Sequence, residues 1–424
     1  MIFVLTVALL LGSAAGADAA AIAHVFTEVN MPQTTMSSTL VDVPGASIAS
    51  GNFVAGKKYL LYVTAQMTNQ KATDSVELVA LHGTTPFDDA LGGSGGSRAV
   101  FSTASASMQW AYGWFTVWTA VPDEAIKLQF RRLEYLGIAQ VNRIAMLAIN
   151  LSDDLAENTD WAFAEDATDV TLTTAFTDGA SVTVTPSGTS DWLVLTSSQG
   201  PGANGGAALA LTRISRSGEA ASVLPEARIE VTLMGDQIPM TLARVFPLTA
   251  VSNTFTEQSA ASANGLGIVR THSSVFVLNL SKFKVHASAY TESDLALSAT
   301  AYATQLQTLS ITPTVAGDVW IGAYWGFDRN DALQNAKFRV QVDNVDQPAG
   351  QTTDAYVFAQ TNDATDEDPM VLSTLANLTA ATHTVDLDAS VDATTGSASH
   401  RPPRHTSPPT GQHRTLWAVT MELQ

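Results

Sequence analysis

Across 424 residues the chain contains no cysteine. That excludes a disulfide framework, a thiolate metal site and a thiol nucleophile, so cohesion must come from packing or from assembly with other chains. Charge is scarce too, with Asp, Glu, Lys and Arg making up 14% of the residues and a formal net charge of -19. Only 21 basic residues stand against 40 acidic ones, which leaves no extended basic surface for a phosphate backbone and excludes nucleic acid as a partner. Long hydrophobic runs are missing beyond the first 20 residues. A membrane helix needs about 20 apolar residues, so no stable membrane span is expected.

The first 20 residues, "MIFVLTVALLLGSAAGADAA", hold an apolar run from Ile2 to Leu11, then small residues with Ala17-Asp18-Ala19 placed as a cleavage site. Those are marks of a signal peptide over 1–19. The positive start of such a peptide is absent, because no Lys or Arg precedes Lys57. An N-terminal strand that packs in an assembly is the other reading.

Helix-period patterns are scarce after that point, whereas short runs rich in Val, Thr, Ile, Leu, Tyr and Trp alternate with Gly, Asn, Asp, Ser and Pro. This is an all-β signature. Clear strand phrases are "YLLYVTAQ", "SVELVAL", "IKLQFRR", "SVTVTPS", "DWLVLTS", "ARIEVTL", "TLSITPTV", "KFRVQVD" and "HTVDLDASV". Several alternate apolar and polar residues, as half-buried antiparallel strands do.

Three closing phrases repeat: "RIAMLAINLSD" at 143–153, "SSVFVLNLSKF" at 273–283 and "TLWAVTMELQ" at the end. Each follows a turn and an aromatic-rich strand, "AGKKYLLYVTAQ", "TSDWLVLTSSQG" and "AGDVWIGAYWGF". The turns themselves, in "SIASGNFVAGKKY", "SVTVTPSGTSDW" and "LSITPTVAGDVW", read as hairpins. From Tyr59 to Leu151 is 92 positions, from Trp192 to Leu280 is 88 and from Trp320 to Leu423 is 103. The excess in the third matches "SASHRPPRHTSPPTGQHR" at 397–414, whose Pro and His content reads as an exposed loop. Three tandem antiparallel β-sandwich, jelly-roll-like domains are therefore expected, at 20–152, 153–283 and 284–424. The phrase ends align Leu151, Leu280 and Leu423, with Asn150 and Asn279 matched by Glu422, so the Asn-Leu-Ser sequon belongs to a closing strand and not to a glycosylation signal.

No catalytic motif survives inspection. "GGSGG" at 92–96 matches the hydrolase pattern around Ser94, but no helix follows to form a nucleophile elbow, and a flexible loop is expected. Asp363, Asp366, Glu367 and Asp368, and separately Asp328, Asn330 and Asp331, offer oxygen ligands for structural calcium without completing a known loop. His400, His405 and His413 beside Arg401, Arg404 and Arg414 sit in a segment that cannot preorganise metal ligands. No pair of carboxylates can be nominated as acid and base from spacing. Neither an enzyme nor a cofactor is expected.

Aromatic loading is the distinctive feature. In "MQWAYGWFTVW", strand alternation puts Trp110, Tyr112, Trp114 and Trp118 on one face and Gly113 and Phe115 on the other. Trp320, Tyr324 and Trp325 repeat the pattern in the third unit. Such faces serve a core, a subunit interface or a platform for a sugar ring.

The phrase "VDVPGASIASGNFVAGKKYLLYVTAQ", followed about ninety residues on by "NRIAMLAINL", resembles the modular β-sandwich units of tailed-phage virion proteins: decorations, fibres and tail-associated parts. The resemblance implies a non-enzymatic structural protein on the surface of a virion or similar particle. It would pack against copies of itself as a homo-oligomer, commonly a trimer, or against other structural proteins. The alternative is an exported cell-surface or extracellular adhesin that binds surface glycans after cleavage of its leader.

Overall fold

The computed structural model describes residues 21–69, 75–87, 97–102, 109–133, 137–201, 208–219, 226–231, 237–263, 267–292, 302, 304–328, 335–347, 357–360, 367–391 and 414–424. The leader 1–19, Ser94 and its glycines, and the His/Pro-rich loop up to residue 413 lie outside them. So do the side chains of both acidic clusters singled out for calcium. Among the described residues there is no α-helix and therefore none long and apolar enough to cross a membrane. The protein is all-β, built of several antiparallel sheets.

Five short strands (33–35, 85–86, 170–171, 269–270 and 345–347) aside, the strands fall into three sets of eight. The first comprises β1 (His24–Val29), β2 (Val41–Ile48), β3 (Lys58–Asn69), β4 (Ser75–His82), β5 (Arg98–Ser102), β6 (Gln109–Thr119), β7 (Ile126–Arg132) and β8 (Ala139–Asn150). The second comprises β9 (Trp161–Asp166), β10 (Thr177–Val184), β11 (Ser190–Pro201), β12 (Ala208–Arg216), β13 (Glu226–Val231), β14 (Gln237–Leu248), β15 (Asn253–Ala261) and β16 (His272–Asn279). The third comprises β17 (His286–Thr291), β18 (Thr304–Ile311), β19 (Gly317–Asp328), β20 (Asn335–Val342), β21 (Val357–Gln360), β22 (Glu367–Leu378), β23 (His383–Val391) and β24 (Arg414–Thr420). Every strand phrase picked out above falls on one of these.

Each set pairs in the same order, β1-β8-β3-β6 with β2-β7-β4-β5, β9-β16-β11-β14 with β10-β15-β12-β13, and β17-β24-β19-β22 with β18-β23-β20-β21. Eight strands in this order, first beside last and second beside seventh, make a jelly roll. The turns expected to be hairpins instead carry the chain across, since β2, β10 and β18 lie in the sheet opposite β3, β11 and β19. Local punctuation marks a turn but is silent on whether its flanking strands pair or face each other.

Register fixes which residues correspond. Tyr59 lies opposite Asn150, Trp192 opposite Asn279 and Val319 opposite Thr420. Thr420, and not Glu422, thus takes the place of the two asparagines, and Met421 replaces Leu423, its amide bonding Asp318 O as that of Leu151 bonds Lys58 O. The Asn-Leu-Ser phrase is a strand stop. Asn150 and Asn279 accept from the amides of Ser152 and Ser281 at 2.9 and 3.0 Å, and the two serine hydroxyls accept the amides of Lys58 and Asp191. Arg414 opens β24 and is buried, so the loop before it ends one residue earlier than the composition implied.

One apolar core lies inside the third set, and another fills the first and reaches Leu172, Ala210, Met240, Ala261 and Ile268 of the second. A third fills the second set and runs out to Leu60, Tyr62 and Phe115 of the first and Trp320, Val371 and Trp417 of the third. The strands β3, β6, β19 and β24 accordingly bury both faces. In β3, Tyr59, Leu61 and Val63 point into their own sandwich while Leu60 and Tyr62 point toward other sets. A strand buried on two sides needs apolar residues in both alternations, which is why "KYLLYVT" reads as an unbroken run.

Candidate functional site

The three sets meet in a closed ring. β5 pairs with β14 through Val100 and Gln237, β13 pairs with β22 through Arg228 and Glu367, and β21 packs beside β6. In each case a fifth strand meets the sixth strand of the next set. The sixth strands β6, β14 and β22 come together at the centre of the ring.

Three equivalent residues mark that centre. Gly113, Thr241 and Val371 lie opposite Thr64, Ser197 and Tyr324, which follow the landmark residues Tyr59, Trp192 and Val319 at one spacing. A Cβ at Gly113 would lie 3.0 Å from Val371 Cγ2 and 3.2 Å from Thr241 Cβ. A side chain here would crowd those of Val371 and Thr241. Thr241 Oγ1 donates to Gly113 O at 2.6 Å, and nearby Thr415 Oγ1 donates to Ala243 O at 2.8 Å. Buried hydroxyls satisfied across the ring fix its register as well as its contact.

Around this centre run three junctions, in each of which the third strand of one set meets the first strand of another. From the first set to the second, Lys58 Nζ lies 5.6 Å from the Trp161 ring, Phe115 packs edge-on to Phe163 at 6.5 Å, and Thr116 Oγ1 donates to Glu165 at 2.9 Å. From the second to the third, Asp191 meets His286 at 3.2 Å and Arg244 stacks 4.0 Å over Tyr290. From the third to the first, Asp318 meets His24 at 3.1 Å and Trp320 packs edge-on to Tyr62 at 5.9 Å. Lys58, Asp191 and Asp318 are equivalent, as are Trp161, His286 and His24. One position is filled by two chemistries, a lysine over an indole once and an Asp–His pair twice. The His24 bond holds the Asp318 carboxyl below its usual range. Burial pushes the Glu165 carboxyl up, against the pull of the Thr116 bond.

The aromatic residues anticipated as an interface or glycan platform divide between these two environments. Tyr112, Trp114 and Trp118 face the interior of the first set, with Phe87 between the two indoles at 5.2 and 6.2 Å. Phe115 and Gly113 face the ring, as the alternation implied. Trp320 and Tyr324 belong to the shared core, and Trp325 to the interior of the third set. All six are at least 93% buried, Trp118 being the most exposed at 7%, so none of them presents an open ring face. Trp110 occupies a β6 position opposite Met67, and its side chain lies outside the described ones.

Sequence reasoning missed the buried ion pairs. Glu77 is held by Arg98 and Arg131, and Glu257 by Arg270, which also reaches Asp166 at 3.4 Å. Burial pushes the Glu257 carboxyl up to about 7 and the His272 imidazole down to about 4. Gly179 lies against this cluster, where a Cβ would run into Glu257 Oε2, Ser273 Oγ and Arg270 Nη1. Isolated charges within β phrases were the available signal. Among the described residues no group of three or more His, Asp or Glu is arranged to hold a metal.

No family model matches the chain, and no curated protein matches it. Among solved structures, the chain is similar to PNGase F, a glycosylasparaginase from Flavobacterium meningosepticum, at 11% identity and TM-score 0.28, over 62% of this chain and 97% of that one. It is also similar to a chain from the triple jelly roll and turret assembly of an archaeal virus, at 10% identity and TM-score 0.19, over 97% and 99%. A chain of the lipid-containing bacteriophage PM2 follows at 7% identity and TM-score 0.18, over 90% and 99%. These TM-scores lie far below 0.5 and assign neither a family nor a role.

Proposed function

We propose that the chain is three jelly-roll units, 20–152, 153–283 and 284–424, closed into a pseudo-threefold ring that serves as a structural building block on the surface of a virion or comparable particle. The observation that carries this reading is the centre of the ring, where Gly113, Thr241 and Val371 converge from equivalent positions. One chain thereby makes the compact threefold shape that usually takes three copies, and such shapes tile closed shells by symmetry. Phe115, Trp320, Tyr324 and Trp417 are buried in the core that joins the sets.

Assembly would use the ends of the sandwiches and not their edges. The peripheral strands β2, β10 and β18 each carry a register break, between Asp42 and Ser47, Asp178 and Ser181, and Gln305 and Gln307. Bulges of this kind blunt an edge against strand addition. Exposed Val54, Val121, Val251 and Val315 instead lie on turns at one end of the ring, the end where β3 begins opposite the last residue of β6. Density-gradient fractionation of the native source tests the reading, with antibody labelling of the fractions in electron microscopy. The chain is expected in regular arrays on particles, and recovery only as free monomer would refute it. Labelling on cell envelopes would favour the exported adhesin.

A further inference from the structure

Strand pairing within the sets is antiparallel, so the odd strands of each set begin, and the even strands finish, at one end of its sandwich. At the junctions these ends meet, Lys58 with Trp161, Asp191 with His286 and Asp318 with His24. They therefore share one face of the ring. Five of the eight large apolar side chains exposed among the described residues lie on that face. Val54 and Val315 stand between second and third strands, Val121 and Val251 between sixth and seventh, and Val345 between the fourth and fifth strands of the third set. Each is 43–56% exposed. The turns at 49–56, 185–189, 249–252, 312–316 and 379–382 on this face hold no charged residue. Lys57, Lys58, Lys282 and Lys284 at the same end face Asp153, Glu157, Asp160 and Glu422, which leaves no free cation among them to draw anionic headgroups.

The chain enters the ring through this face. Ala21 bridges Glu422, Ala23 O accepts the Asn150 amide, and β1 starts at His24. Upstream lies the apolar run Ile2–Leu11, and no charged residue precedes Asp18. Residues 12–20 separate that run from Ala21, a reach of about 30 Å at most. The 12-residue strand β3 is longer than that, about 40 Å. The run is thus tethered near the valines and kept from the opposite face. Valines on separate turns form no single pocket, and none of them is an aromatic or arginine anchor of the kind that holds a protein partner. A hydrocarbon layer needs no complementary shape and takes up each apolar side chain by itself.

We propose that this face of the ring seats on a lipid bilayer, held by its valines and by the run Ile2–Leu11. The run is about half the length of a membrane span, so it anchors without crossing. The inference rests on the closed ring, since closure is what puts the turns of three sets on one face. Flotation of the full chain with phosphatidylcholine vesicles in a density gradient tests it. The chain is expected to float, with no loss between about 0.1 and about 0.5 M salt, because the attraction is apolar. Val54→Ser with Val251→Ser should lower partitioning at least about tenfold while leaving thermal unfolding unchanged. Leu9→Asp with Leu10→Asp should lower it at least as far, and Met31→Ser with Met36→Ser, on the opposite face, should change nothing. Failure to float overturns the proposal, as does flotation that the valine variant leaves undiminished or that salt abolishes. A lipid-free dimer in sedimentation that the valine changes dissociate would give the face to a second copy, and a native mass starting near residue 20 would remove the anchor; either result overturns it. Cross-linking of His24→Cys with Asp318→Cys reports the ring separately, so a chain that links yet fails to float loses the lipid and keeps the ring.

Discussion

Replacing Gly113 by alanine inserts one methyl group into the meeting point of three strands. Its Cβ would lie 3.0 and 3.1 Å from the Val371 side chain and 3.2 Å from Thr241 Cβ, so no single neighbour can retreat to relieve it. Overpacking of this kind costs about 1–3 kcal/mol, against which alanine regains about 0.5–1 kcal/mol of backbone entropy relative to glycine. A net loss of about 1–2 kcal/mol follows. Val371→Ala alone removes two buried methyl groups and should cost about 1.5 kcal/mol or somewhat more. Combined, the two changes exchange a methyl at one position for space at the other, and the double variant should be more stable than the sum of the singles by at least about 1 kcal/mol. Urea unfolding followed by tryptophan fluorescence measures all four chains, with the slope checked for constancy. Sites that do not touch are additive within about 0.3–0.5 kcal/mol. Additivity here would refute the convergence of β6 and β22, whose paired positions are separated by most of the chain.

Gly322→Ala should be worse, since its Cβ would run into the buried Trp417 indole; we expect a loss above about 3 kcal/mol and an altered fluorescence spectrum. Arg270→Leu strips Glu257 of its buried partner and should cost about 3–5 kcal/mol in denaturant titrations, the loss growing above pH 7 as Glu257 is forced to ionise. Glu28 binds its proton more tightly folded than unfolded, so it contributes stability at low pH that is lost as pH rises from about 4.5 through about 8. Thermal unfolding of Glu28→Gln across that window should show a flatter pH dependence than the parent chain.

Much of the strand inventory was legible because alternation and turn residues act locally. The phrase "MQWAYGWFTVW" even sorted its faces correctly, with Tyr112, Trp114 and Trp118 inward and Gly113 and Phe115 outward. What lay on the outward face was not legible. Gly113 meets Thr241 and Val371 through contacts that leave no periodic trace, and a glycine inside an aromatic strand was the sole hint. The third closing phrase misled for a related reason. Its apolar alternation continues past Thr420 to Leu423, so pattern alone slid the alignment by two residues, while backbone pairing opposite Val319 fixes it.

Closure of the ring is the central claim, and the absence of native cysteine makes it directly testable. Cysteines placed at His24 and Asp318 span the junction from the third set to the first, and cysteines at Asp191 and His286 span that from the second to the third. A short thiol-to-thiol cross-linker, read by intact mass and gel mobility, should join both pairs within single chains. A linear string of units would join Asp191 to His286 but leave positions 24 and 318 unlinked or linked only between chains, and that result would contradict the ring.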